Sequence, residues 1–109
     1  MDVKKWLEYG TGFKWKELRY LKTPSLPYYI FIDDTTYRGA DKLNNIVEHN
    51  ITLEMYSETI DATSEETIEM FLDSEEISYE KSREWLQTEE MYVTVYALEN
   101  LLEKVRKEI

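Results

Sequence analysis

The alternation of hydrophobic and polar residues is clearest in the middle of the chain, where it predicts two β-strands. Residues 28–32 are dense in aromatic and β-branched side chains, which favour a strand packed on at least one face. Residues 46–57 alternate strictly, and one face carries Val47, His49, Ile51, Leu53 and Met55. Residues 33–45 are polar and contain Asp-Asp, Arg-Gly and Asn-Asn pairs. The pattern therefore predicts two antiparallel strands joined by a long charged loop.

A short amphipathic helix is predicted over residues 1–10. Asp2 is a suitable cap, and Val3, Trp6 and Leu7 recur with the spacing of one helical face. Gly10 is the expected stop. A helix of about two turns is not stable alone, so Trp6 must pack against another part of this subunit or of a neighbouring one.

The second predicted helix begins at a capping box, in which Thr63 accepts a backbone hydrogen bond and Glu66 reaches back. Its apolar stripe consists of Ile68, Phe71 and Leu72, and the helix is expected to end near residues 73–74. We expect this stripe to cover the apolar face of the second strand.

Two more strands and an ambiguous tail follow this helix. Residues 77–86 alternate, residues 87–90 form the expected turn, and residues 91–98 are the most strand-like run of the chain. One face of that run carries Met91, Val93, Val95 and Ala97. The tail at 99–109 is open between helix and strand. A terminal helix is favoured by the spacing of Leu98, Leu101, Leu102, Val105 and Ile109.

The predicted order α-β-β-α-β-β is typical of an α+β domain. We expect a small antiparallel sheet of about four strands, with helices packed mostly on one face. The 109 residues are enough for one such domain, with its core at residues 27–98. Residues 11–26 are predicted to be an extended arm, because Pro24 and Pro27 bracket the approach to the first strand.

Charge and composition exclude several classes of function. The chain carries 23 Asp and Glu against 13 Lys and Arg, a net charge of −10. This charge opposes the phosphate contacts on which nucleic-acid binding depends. The absence of cysteine excludes disulfides, thiolate metal sites and cysteine nucleophiles. Since no apolar run approaches the ~20 residues that span a bilayer, we expect a soluble intracellular protein without specific nucleic-acid or membrane binding.

Residues that carry catalytic or metal chemistry are few. His49 is the only histidine and lies on the apolar side of its strand, so we interpret it as a core or interface residue with a hydrogen-bond partner. Asp33, Asp34 and Asp41 offer carboxylates for a weak metal site, but a solvated acidic loop explains them better. Helix caps and turns explain the adjacent glutamates at 65–66, 75–76 and 89–90. The sequence thus predicts no enzyme, no metal and no cofactor.

Several short motifs along most of residues 1–98 carry a family resemblance. They are the N-terminal Met-Asp-Val-Lys-Lys-Trp-Leu, Ser-Leu-Pro-Tyr at 25–28, Asp-Asp at 33–34, Arg-Gly-Ala-Asp at 38–41, Asn-Asn at 44–45 and His-Asn-Ile-Thr-Leu-Glu-Met-Tyr-Ser at 49–57. Together they resemble small head and tail morphogenesis proteins from phages and prophages of Gram-positive bacteria. We take that group to be related to the tail-terminator or tail-completion proteins, which share an α+β fold and assemble as rings.

The resemblance implies a structural ring subunit, commonly hexameric, that stops growth of the tail tube and presents a surface to the head connector. Its implied partners are further copies of itself and other tail or connector proteins, in the host cytoplasm during assembly and then in the virion tail. The surplus of aromatic residues also favours protein–protein surfaces. The candidate interface residues are Trp6, Asp33, Asp34, Tyr37, Arg38, Asp41 and Trp85.

Other hypotheses stay open beside the tail protein. An acidic inhibitor that imitates DNA needs rows of carboxylates over a continuous surface, whereas the acidic residues here are scattered through caps, turns and the outward strand face. An enzyme of prophage origin needs a pocket with paired carboxylates. Another non-enzymatic phage adaptor is the remaining alternative.

Overall fold

The computed structural model describes residues 2–38, 44–99 and 101–106. Within these ranges the chain forms two helices and six strands. The helices are α1 (Val3–Thr11) and α2 (Ala62–Ser74). The strands are β1 (Trp15–Glu17), β2 (Tyr28–Arg38), β3 (Asn44–Ser57), β4 (Tyr79–Leu86), β5 (Met91–Leu98) and β6 (Leu101–Arg106).

The six described strands form one mixed sheet in the order β1-β2-β3-β5-β4, and β6 pairs with β3 beyond the end of β5. β1 runs parallel to β2, and all other described pairs are antiparallel. The α+β class is confirmed, but the expected antiparallel sheet of about four strands is corrected to a mixed sheet of six. The extra strands arise because part of the predicted arm forms β1, which buries Trp15, and because the tail forms β6.

Both helices pack on one face of the sheet, where they cover the apolar stripe of β3. Ile51, Leu53 and Met55 are at most 1% exposed, and they share one core with Ile68 and Leu72 of α2. Apolar residues of α1 belong to the same core. The predicted packing of α2 on this strand is therefore confirmed.

α1 ends one residue beyond the predicted range, and its stop is Gly12, two residues after the predicted Gly10. The helix continues through Gly10 to Thr11, and Gly12 terminates it in a left-handed conformation with φ 75°. The N–H of Gly12 donates to the carbonyl oxygen of Glu8 at 2.9 Å, which satisfies one of the last carbonyl groups of the helix. Gly10 serves a different purpose, because it faces Phe71 of α2 at a point where a Cβ would overlap the ring.

α2 is capped by Asp61, so the predicted capping box at Thr63 and Glu66 is wrong. The Asp61 carboxylate accepts hydrogen bonds from the Ser64 backbone N–H at 3.0 Å and from the Ser64 hydroxyl at 2.8 Å. Aspartate caps a helix as well as threonine does, and it precedes Thr63 by two residues. The shift leaves Glu66 exposed and buries its neighbour Glu65.

The charged loop predicted at 33–45 is mostly strand. Residues 33–38 continue β2 and stay paired with β3 along its whole length. The strand tolerates Asp33 because its carboxylate contacts the His49 ring on β3. Only 39–43 remain of the predicted loop, and they lie outside the described residues.

The helical tendency of the tail is corrected to a strand, β6. Thr52 of β3 pairs with Ala97 of β5, and His49 of β3 pairs with Leu101 of β6. The two positions are three residues apart on β3 but four residues apart on the chain that pairs with it. One extra residue therefore lies between β5 and β6, as in a β-bulge. This insertion puts both Leu98 and Leu101 against the core, although they are three residues apart. The same spacing occurs along one side of a helix, which is why the sequence pattern favoured one.

Candidate functional site

The sheet face opposite the helices carries a groove beside the chain that follows β1. Leu18 adopts a left-handed backbone with φ 67°, and its N–H donates to the carbonyl oxygen of Phe31 at 2.9 Å. The chain turns there and lines one side of a cavity of about 420 Å³. We call this cavity the tyrosine groove and define it by Tyr20, Tyr28, Ile30, Tyr56, Leu86 and Met91.

Three tyrosine rings form the aromatic surface of the groove. Tyr28 and Tyr56 are directly opposite each other on β2 and β3, and their rings stack with centroids 4.8 Å apart and planes 16° from parallel. Tyr20 meets Tyr28 edge to face at 5.7 Å. Such pairs stabilise a sheet beyond the area that they bury. The tyrosine groove therefore has a broad aromatic wall held in a fixed geometry.

Two carboxylates give this aromatic wall a negative edge. The Tyr56 hydroxyl donates to Oε1 of Glu54 at 2.8 Å. Burial raises the pKa of Tyr56, and the hydrogen bond and charge of Glu54 raise it further. Burial also raises the pKa of Tyr28, followed by the charges of Glu54 and Glu89. Both hydroxyls therefore stay protonated at neutral pH, next to two negative groups.

A second polar cluster joins α2 to β4 on the helix side of the sheet. Glu65 is 4% exposed, and its Oε1 lies 2.6 Å from Nη2 of Arg83 and 2.7 Å from Nζ of Lys81. Nζ of Lys81 also lies 2.8 Å from Oε2 of Glu69. The buried Tyr96 hydroxyl donates to the same Glu69 oxygen at 2.8 Å. We call these five residues the α2–β4 ion cluster.

The α2–β4 ion cluster is arranged to hold α2 on the sheet. Burial disfavours the charged form of Glu65, but hydrogen bonds and charges from Arg83 and Lys81 outweigh it and hold the pKa of Glu65 below its usual range. A carboxylate with a lowered pKa is ionised at neutral pH and is a poor proton donor. The geometry therefore favours a structural role for Glu65.

His49 lies where the sequence pattern predicts, on the buried face of β3. Nδ1 of His49 is 2.9 Å from Oδ2 and 3.1 Å from Oδ1 of Asp33. Their side chains are only 6% and 14% exposed. The interpretation of His49 as a buried residue with a hydrogen-bond partner is confirmed, and Asp33 supplies that contact.

The two tryptophans among the candidate interface residues lie on different elements, α1 and β4. Trp6 makes contacts within its own chain. Its ring packs against Phe71 with centroids 4.9 Å apart, and its Nε1 donates a hydrogen bond to Oε1 of Glu75 at 2.6 Å. Trp85 lies on β4, an edge strand of the described sheet, and is 44% exposed. Its ring meets Tyr92 at 4.8 Å. Trp85 therefore remains available at the surface, whereas Trp6 docks α1 on α2.

The remaining candidate interface residues belong to the first hairpin. Asp33 and Asp34 point to opposite faces of β2, as neighbouring strand residues must. Tyr37 is 74% exposed. Arg38 is the last residue of β2, and its backbone pairs with β3. Its side chain lies outside the described part of the structure. Asp41 lies outside the described residues altogether.

This hairpin is much longer than the helix α2 that packs on it. β3 has 14 residues and spans about 46 Å, whereas the 13-residue α2 spans about 20 Å. We call this end of the hairpin the distal sheet and define it as residues 32–38, 44–50 and β6. Val47 and His49 within it are buried. Among its described side chains, Tyr37, Ile46 and Leu102 are 74%, 37% and 57% exposed. The distal sheet thus presents apolar groups to solvent on both faces.

Sequence reasoning missed the tyrosine groove. Tyr28 and Tyr56 were visible as aromatic residues in excess of a small core, and Tyr56 continues the outward series of Glu54 on β3. That outward position was the available signal. No feature of the sequence indicated the position of Tyr20, because that position depends on the path of the chain after β1.

The described part of the chain contains neither a group of metal-ligating side chains nor a helix that could span a membrane. No group of three or more His, Asp or Glu side chains within 2–38, 44–99 and 101–106 is arranged to hold a metal ion. Neither described helix combines the length and the apolar character that crossing a bilayer requires. The surfaces that remain as functional candidates are the tyrosine groove and the distal sheet.

Comparison with known proteins does not assign a family. No protein-family model matches the chain, and no curated protein is similar to it.

Proposed function

We propose that the protein is a structural subunit of a phage or prophage tail, and that it acts as a tail-terminator or tail-completion ring at the head–tail junction. The motifs between residues 1 and 98 that resemble this group support the proposal. The proposed role is non-enzymatic and needs no cofactor. The protein would assemble in the bacterial cytoplasm and remain in the virion tail.

The observation that carries this proposal is the distal sheet. It forms one end of the long hairpin and exposes Tyr37 on one face and Ile46 and Leu102 on the other. Exposed aromatic and aliphatic groups at the end of a hairpin are typical of a surface that another protein covers.

A ring needs two different surfaces on each subunit, because head-to-tail contacts repeat around the axis. The distal sheet offers one such surface. The edge strand β4, with the half-exposed Trp85 beside Tyr92, offers a second one at the other side of the sheet. We therefore place the subunit contact between the distal sheet of one copy and the β4 edge of the next.

The proposal is tested by removing the gene from the phage or prophage that carries it and measuring tails by electron microscopy. Loss of a ring that stops tube growth should give tails of irregular length and few complete virions. Restoring the wild-type gene should restore both. Tails of normal length and a normal virion yield without the gene would contradict the proposal.

A matched pair of variants tests the role of the distal sheet. Tyr37→Ser removes an exposed ring from the distal sheet, and Tyr9→Ser removes a ring that is 96% exposed on α1. Both should fold, because neither ring is buried. We expect only Tyr37→Ser to fail in complementation. Equal complementation by the two variants would remove this surface from the assembly.

A further inference from the structure

We propose that the tyrosine groove binds a basic segment of a partner protein by taking up one arginine or lysine side chain. The aliphatic part of that side chain would lie against Tyr28 and Tyr56, and its cationic head near Glu54 and Glu89. This inference goes beyond the tail-ring proposal and does not depend on it. It rests on the shape of the groove and on the charges around it.

The shape of the groove suits a long flexible side chain. The rings of Tyr28 and Tyr56 stack face to face, so together they line the groove with ring edges and outer ring surfaces, and Tyr20 meets Tyr28 edge to face. Arginine and lysine pack their aliphatic stems along apolar surfaces and keep the charged head at a polar edge. A cation within about 6 Å of an aromatic ring face is also attracted by the ring.

The two carboxylates of the groove form no ion pair with a described residue. Glu54 accepts a hydrogen bond from Tyr56 but makes no ion pair with any described residue, and Glu89 makes none either. Arg19 also lines the groove, yet it forms no ion pair within the described part of the chain. The groove thus holds two carboxylates and one guanidinium group, which leaves its lining with a net negative charge.

The same charges select the class of partner. A nucleic acid would bring its phosphates next to Glu54 and Glu89 and be repelled. A purely apolar peptide would cover these carboxylates without replacing their contacts with water, which is unfavourable. A guanidinium or ammonium group replaces those contacts with charge-assisted hydrogen bonds. A basic protein segment therefore fits the groove best.

The test is a chemical-shift titration of the full chain, labelled with nitrogen-15, by nuclear magnetic resonance. The probe is N-acetyl-arginine methylamide, and its control is the citrulline analogue, which has nearly the same shape without the charge. We expect saturable shifts of the backbone amides of Tyr28, Ile30 and Tyr56 with the arginine compound. The citrulline compound should bind at least about fivefold more weakly, because it cannot form the partly exposed ion pair that the arginine compound forms.

Charge variants identify the carboxylates that act. Glu54→Gln and Glu89→Gln should each weaken arginine binding by about two- to fivefold. Glu54→Gln keeps an acceptor for Tyr56, and Glu89 lies in the exposed turn before β5, so neither change removes core packing. Glu66→Gln makes the same change of charge at an exposed site on α2 and should leave binding unaltered.

Four results of the titrations would overturn the inference. They are equal binding of the two compounds, shifts confined to α2, a lack of saturation, and equal binding by the Glu66→Gln and Glu89→Gln variants. A dependence of the groove amides on protein concentration without any probe would also overturn it. That last result would show that a second copy of the chain occupies the groove in place of a basic partner.

Discussion

Gly10 of α1 lies directly against the ring of Phe71 of α2, and a Cβ on Gly10 would overlap the Cε1 and Cδ1 atoms of that ring. The two helices approach each other at a point where only a hydrogen atom fits. Trp6, one turn earlier on α1, packs against the same ring and donates to Glu75. A helix that is too short to be stable alone is thus fixed to α2 by this close contact, by the Trp6 ring and by its hydrogen bond, in addition to the burial of its apolar residues in the core.

Gly10→Ala is expected to destabilise the fold by about 1–2 kcal/mol. Alanine gains roughly 1 kcal/mol over glycine inside a helix, but the added methyl group overlaps the Phe71 ring and must displace it. We therefore expect an overpacking cost of about 2–3 kcal/mol, in the upper part of the usual range of about 1–3 kcal/mol. Urea unfolding followed by circular dichroism measures the change. Adding Phe71→Leu should remove the clash, so the two substitutions together should destabilise less than the sum of both. A variant as stable as the wild type would show that the helices separate easily.

Leu53→Ala should destabilise the fold by about 2–5 kcal/mol, because Leu53 is 0% exposed at the centre of the core. Leu21→Ala is the matched control, since Leu21 is 95% exposed, and its effect should stay within about 0.5 kcal/mol. Thermal or urea unfolding compares the two. Similar midpoints for both variants would place Leu53 outside the core and shift the register of β3 by one residue.

Glu65→Gln should destabilise the fold at neutral pH by roughly 1–3 kcal/mol, because it removes the negative partner of Arg83 and Lys81. Both cations keep about a third of their side chains exposed, so water screens part of the loss. Glu66→Gln, on the exposed side of α2, should have little effect. Equal stabilities of the two variants would mean that the α2–β4 ion cluster adds nothing to stability.

The stabilising effect of Glu65 should disappear in acid. The pKa of Glu65 in the folded protein lies below its value in the unfolded chain, which is about 4.3. Its contribution is therefore fully present above that unfolded value and is lost as the pH falls through the folded pKa. The stability difference between the wild type and Glu65→Gln should shrink between neutral and acidic pH. A constant difference over this range would contradict the lowered pKa.

Self-association should increase with salt concentration. Six copies with a charge of −10 each would carry −60 in one ring, so apolar contacts must overcome repulsion between subunits. Added salt shortens the range of that repulsion from about 10 Å at 0.1 M to about 3 Å at 1 M. Sedimentation or light scattering over a salt and concentration series measures the association. Association that falls steadily with salt would show that attractive ion pairs dominate the contact.

The same charge has a consequence for the proposed channel. In the proposed function, a genome that leaves the head would pass through the ring, and basic walls would hold it by phosphate contacts. Acidic walls repel DNA within about 8–10 Å at moderate salt. The proposed ring would therefore let the genome slide without binding it.

The parts of the fold that the sequence predicted are those where one simple period extends over many residues. The alternation at 46–57 identified the buried face of β3, because nothing interrupts that strand. The tail was misjudged because one inserted residue between Leu98 and Leu101 breaks the alternation and produces a helix-like spacing. A pattern of single residues does not distinguish a bulge from a helical turn.

The candidate site was harder to predict because it depends on topology. β1 pairs in parallel with β2, so the chain between them must cross from one end of the sheet to the other. That crossing brings Tyr20 to Tyr28, and no local pattern encodes it. Trp6 was predicted correctly as a docking residue, whereas its partners Phe71 and Glu75 became evident only from the packing of the helices.

Because β1 is short, the chain that carries Tyr20 can open locally while the rest of the sheet stays folded. Three strand residues and the Leu18 hydrogen bond fix the chain that carries Tyr20, whereas β2 and β3 pair over eleven residues. Segments with few backbone bonds open locally at a lower free energy than the whole fold. Amide hydrogens of β1 should thus exchange with solvent well before those of β3, and each such opening would separate Tyr20 from Tyr28 while the sheet stays intact. A basic side chain bound in the groove would slow that exchange, so β1 would report occupancy from the edge of the sheet.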